Sequence, residues 1–88
     1  MKNGRSRIKA TVKAVNSTLS QIVARNDERN YLLIFNSGDL TAYIQVETGG
    51  FIDLPPHNGK EWITKVPINA FNAKTLGSDT TNISIWEA

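Results

Sequence analysis

The chain has 88 residues, 40% of them hydrophobic, a formal net charge of +2 and no cysteine. That is enough for one domain that leaves about a third of its unfolded surface exposed after folding, and it excludes a disulfide framework or a thiolate metal cage. No apolar run reaches the roughly 18 residues of a membrane helix and no secretory apolar core follows the basic start, so the sequence reads as a protein made in the cytoplasm with no membrane partner.

Charge is unevenly spread. Residues 1–13 hold Lys2, Arg5, Arg7, Lys9 and Lys13 without an acid, and the remainder sets five cations against eight acids. Residues 1–7 are polar and contain Gly4, the composition of a flexible arm that is ordered only on a target. An arm of this charge meets an acidic protein surface or nucleic acid. Ile8 to Val15 alternates, which predicts a half-buried strand with Ile8, Ala10, Val12 and Ala14 facing in and Lys9, Thr11 and Lys13 facing out. After the Asn16-Ser17-Thr18 turn cluster, Leu19 to Ala24 predicts a second strand. A helix over 17–25 is the competing reading, disfavoured by its mediocre helix formers and the lack of a closing glycine.

Asn30-Tyr31-Leu32-Leu33-Ile34-Phe35-Asn36 carries five consecutive apolar residues and predicts a central strand buried on both faces. Asn36-Ser37-Gly38-Asp39 has hairpin chemistry and leads into Thr41–Glu47, so these two strands are expected to pair as a hairpin. Thr48-Gly49-Gly50 turns the chain into a short strand, Phe51-Ile52-Asp53-Leu54, which Pro55-Pro56 must end because proline cannot donate to a ladder. Glu61–Thr64, Ile68–Ala73 and Thr81–Glu87 complete seven or eight short strands. Their spacing of about 8–12 residues is that of an all-β antiparallel sandwich, jelly-roll-like, in a single domain over 8–88. Leu33, Ile34, Ile44, Val46, Ile83 and Ile85 are the expected core. Tyr43 and Trp86 fall on outward positions and are candidate interface aromatics.

The inventory for catalysis is thin, and no catalytic residue, metal site or cofactor is expected. The single histidine, His57, lies in a Pro-Pro-His-Asn-Gly turn with no orienting partner in sequence, and there is no Gly-x-Ser-x-Gly elbow, calcium loop or phosphate-binding glycine motif.

Arg29-Asn30-Tyr31-Leu32-Leu33-Ile34-Phe35-Asn36, Tyr43-Ile44-Gln45-Val46, Phe51–Pro56, Trp62, Val66-Pro67, Ala70–Ala73 and Ile83–Glu87 together resemble a small β-sandwich module of tailed-phage structural proteins. In that module an Arg-x-x-Leu-x-Ile-x-Asn strand precedes an Ile-x-Val strand, a Pro-containing loop and a closing strand that ends in Glu. The resemblance spans residues 29–87. It departs at Pro55-Pro56-His57-Asn58-Gly59, where the module more often has one Pro-Gly, and the basic segment from Lys2 to Lys13 lies outside it. It implies a virion component, a capsid decoration or cement protein or a head or tail accessory subunit, partnered by the major capsid protein or other virion proteins. A small core without staples adds the expectation of a homo-oligomer, dimer or trimer. Two other functions fit the residues: a host-glycan or receptor-binding module using exposed aromatics, and a small nucleic-acid-binding protein using the arm, disfavoured because aromatics do not interleave with its charges.

Overall fold

The computed structural model describes residues 8–88, so Lys2, Arg5 and Arg7 and the expected arm lie outside the described residues. Eight strands follow one another: β1 Lys9–Val15, β2 Ser20–Val23, β3 Leu32–Asn36, β4 Ala42–Val46, β5 Phe51–Leu54, β6 Gly59–Trp62, β7 Phe71–Lys74 and β8 Thr81–Glu87. They form two four-stranded sheets of order β1-β8-β3-β6 and β2-β7-β4-β5. The antiparallel pairs β1/β8, β2/β7, β3/β6 and β4/β5 are nested like the two arms of one long hairpin. Rolling that hairpin brings β3 beside β8 and β4 beside β7. This is a jelly roll, and it is the expected all-β sandwich.

The two layers bury one face of each sheet. Ile34, Ile44 and Ile83 are fully buried and Ile85 nearly so, together with Leu32, Ala42, Leu54, Phe71 and Ala73. Val46 is only half-buried but packs against this cluster. Trp62 of β6 closes one side, its ring centroid 5.5 Å from that of Phe71 in the opposite sheet. The segment 17–25 holds strand β2 and not a helix.

Three sequence expectations change. First, β3 and β4 do not pair; they lie in opposite sheets. The cause is Asn36, which is fully buried instead of sitting in a turn. Its amide donates to the carbonyls of Leu40 (2.6 Å) and Leu54 (2.9 Å), and its Oδ1 accepts from the Thr81 hydroxyl (2.9 Å) and the Gly38 amide (3.1 Å). These bonds carry the chain from one layer to the other. Gly38 permits it, because a Cβ there would collide with the Thr81 hydroxyl.

Second, β3 is buried on one face only. Leu32, Ile34 and Asn36 point into the core, whereas Leu33 and Phe35 are half-buried on the outer face, so Leu33 is not a core residue. A second layer covers a sheet on one side, and nothing among the described residues covers the other.

Third, β1 is turned over. Thr11 lies opposite Ile85, Lys13 opposite Ile83 and Val15 opposite Thr81, all inward residues of β8. Lys9, Thr11 and Lys13 therefore face the mouth between the sheets, and Ile8, Ala10, Val12 and Ala14 face outward. Of the inward set only Val15 is buried.

The closing strand is tied to the loop before β3 by a buried ion pair. The Arg29 side chain is fully buried, with Nε 2.8 Å from Glu87 Oε2. Three of its other N–H donors go to the carbonyls of Pro67 (2.6 Å), Asn69 (3.0 Å) and Ala24 (2.7 Å). One guanidinium thus ties β8 to the loops before β3 and β7.

Candidate functional site

The outer faces of the two sheets differ in chemistry. On the β2-β7-β4-β5 sheet, Tyr43 lies between Asp53 and Lys74, and Gln45 between Phe51 and Asn72. That face is predominantly polar and internally bonded, with Phe51 its exposed apolar residue: Asn72 donates to Gln45 Oε1 at 3.2 Å, and the Lys74 ammonium sits 4.9 Å over the Phe51 ring.

On the β1-β8-β3-β6 sheet the register stacks apolar residues instead. One row across the four strands runs Ala10, Trp86, Leu33, Glu61, and the next runs Val12, Ser84, Phe35, Gly59. Ile8 and Tyr31 extend it, lining with Leu33, Trp86 and Ala88 a shallow cleft of about 400 Å³. Ile8 is 61% and Val12 64% exposed, high for β-branched aliphatics in or beside a strand. Gly59 shapes the face, since a Cβ on it would lie 3.0 Å from Phe35 Cδ1 and 3.4 Å from Leu33 Cδ1. Its hydrogen lets both side chains lean over β6.

The polar groups at the rim are held in place. The Tyr31 hydroxyl donates to Glu61 Oε2 at 2.7 Å. That bond, with a lesser contribution from desolvation, raises the Tyr31 pKa above its ordinary 10.0. Tyr31 is thus neutral at physiological pH where it lines the cleft.

No family model matches the chain, and no curated protein matches it.

Trp86 and Tyr43 both point outward, as the alternation predicts, but they lie on opposite faces of the sandwich and cannot share one contact. Lys9 and Lys13 line a second cleft, of about 390 Å³, beside Arg25 and between the edge strands β1 and β2. Ile8, Val12, Leu33 and Phe35 were missed by sequence reasoning as surface residues. Alternation in β1 separates its two sides without saying which one the second sheet covers, and the unbroken run in β3 hides its alternation. His57 Nε2 lies 3.4 Å from Asp39 Oδ1 in a strongly exposed pair. Among the described residues, no three His, Cys, Asp or Glu side chains converge as a metal site would require.

Proposed function

We propose that this protein is a non-catalytic structural subunit that docks on a larger protein assembly through the outer face of the β1-β8-β3-β6 sheet. The assembly proposed is the capsid of a tailed phage, on which the subunit acts as a decoration protein bridging major capsid proteins. The observation that carries the docking reading is the contrast between the two outer faces: one is predominantly polar and internally bonded, the other an apolar stack through Ile8, Ala10, Val12, Leu33, Phe35 and Trp86. The resemblance of residues 29–87 to the virion module supplies the identity of the assembly.

Size and charge select the occupant. Four strands about 4.8 Å apart and five residues of about 3.3 Å each outline a face of roughly 300 Å². Monomer patches of about 300–600 Å² are often functional, but a stable pair of proteins buries about 800 Å² on each side. The face alone is too small for a free-standing dimer and needs added contacts. Lys2, Arg5 and Arg7, which precede Ile8 of the face in sequence, would add them on a complementary partner. A second copy would bring the same cations to the contact. An apolar patch bordered by acids on a capsid protein would complement both features.

Electron cryomicroscopy of native particles tests this. Density for the sandwich at regular capsid positions, with the Trp86 face against the shell, is expected. A second copy seated on that face, density at a fibre tip, or absence from particles would overturn it.

A further inference from the structure

Four strands end the two sheets: β1 and β6 in one, β2 and β5 in the other. Three of them are four residues long, while β1 has seven, all paired with β8 on one side. A long free edge is a template for another strand, and proteins usually shorten or cover it. Among the described residues no strand pairs with the other edge of β1, which borders the cleft between β1 and β2, lined by Ile22, Val23 and Ile85 together with Lys9, Lys13 and Arg25. Glu87 also lines it but is held by Arg29 at 2.8 Å. Arg25 is engaged by Asp27 at 2.9 Å and Glu47 at 3.7 Å. Lys9 and Lys13 have no ion-pair partner among the described residues.

We infer that the free edge of β1 is a binding site for an extended acidic segment of a partner protein, which adds as a fifth strand and sets two carboxylates against Lys9 and Lys13. Lys9 and Lys13 are four residues apart on one face of the strand, with Thr11 between them. An added strand places the residues opposite these two at the same spacing, about 4.5–5.5 Å from them between Cβ atoms. The matching segment reads acid-x-β-branched-x-acid: its acids meet the lysines, and its central Val or Thr sits against Thr11 beside the apolar residues of the cleft. Main-chain bonds supply affinity and the alternate side chains supply selectivity. A second copy of β1 paired two-fold about Thr11 is opposed, because that register sets Lys9 of one copy directly opposite Lys13 of the other, and like charges so placed repel. The site uses the edge and inner side of β1, so it stands or falls apart from the docking role of the outer face.

The test titrates the full chain with a synthetic peptide in which glutamate flanks a Val or Thr at the acid-x-β-branched-x-acid spacing. Amide hydrogen exchange is read residue by residue. Protection of the β1 amides directed away from β8, lost when alternate peptide amides are N-methylated, is expected. The Lys9→Glu/Lys13→Glu variant should fold normally, bind this peptide at least tenfold more weakly, and bind a lysine-substituted peptide instead. Equal binding of the glutamate peptide by wild type and variant would overturn the inference, as would protection elsewhere than β1. Lysine-dependent binding of a single-stranded oligonucleotide with none of the peptide, or protection of β1 that grows with protein concentration alone, would also overturn it.

Discussion

Replacing Arg29 by Ala tests whether this small sandwich depends on one buried guanidinium. The side chain is fully buried and its partner Glu87 is 13% exposed, so truncation leaves a nearly buried carboxylate without its counter-charge. It also leaves the carbonyls of Ala24, Pro67 and Asn69 without the donors they now accept from. Removing one member of a buried pair costs about 3–5 kcal/mol. A domain of this size has about 4–13 kcal/mol in total, at 0.05–0.15 kcal/mol per residue. Urea unfolding followed by Trp fluorescence should therefore show the midpoint of Arg29→Ala falling by about a quarter or more, or no folded baseline at all. Arg29→Lys should recover little, since one ammonium with three donors cannot serve a carboxylate and three carbonyls at once. A loss below about 1 kcal/mol at unchanged m-value would refute the account of Arg29 as the clasp between β8 and the loops before β3 and β7.

Other expectations follow from the same geometry. Ile34→Ala should cost about 2–5 kcal/mol of stability, whereas its neighbour Leu33→Ala, half-buried on the outer face, should cost about 1 kcal/mol in the free protein; equal losses in chemical unfolding would contradict the one-sided burial of β3. Gly38→Ala should destabilise by about 1–3 kcal/mol, as expected when an extra methyl is forced into a packed site, and weaken the Thr81–Asn36 bond; wild-type stability would contradict that reading of the crossover. Tyr31 should ionise above 10.0 in the folded protein, and Glu61→Ala should lower it towards that value. The sign follows: the unfolded chain gives up this proton first, so the contribution of neutral Tyr31 is intact below pH 10 and is lost as pH rises through the folded pKa. Absorbance titration of tyrosinate checks it, and an unchanged titration in Glu61→Ala would remove Glu61 as the cause.

Punctuation made much of the fold legible. Gly49-Gly50 and Pro55-Pro56 bound β5, and Gly77-Ser78-Asp79 announces β8, so both strands fall where their turn residues place them. The partner of β3 was hidden because Asn36-Ser37-Gly38-Asp39 spells a hairpin, yet the Asn36 amide is used inside the core to hold two carbonyls of the other layer. A buried asparagine and a turn asparagine look alike in sequence. The same limit applied to Arg29, which stands in a charged triplet with Asp27 and Glu28 but alone of the three is buried. For the outer face, Trp86 was legible from alternation and Leu33 was not, because a run of five apolar residues has no polar position to mark its outside. In β1 the two sides were separable, but which side faces in is decided by the register with β8, and that depends on the whole topology.

The docking claim is tested most directly by adding one negative charge to each outer face and measuring binding to capsid particles that lack this subunit. Trp86→Glu and Tyr43→Glu place the same group on opposite sides of the sandwich, both at partly exposed positions. Co-sedimentation of the folded variants should show Trp86→Glu bound at least tenfold more weakly than wild type and Tyr43→Glu bound as wild type. Undiminished binding of Trp86→Glu, or a loss confined to Tyr43→Glu, would contradict the assignment of the β1-β8-β3-β6 face as the docking surface.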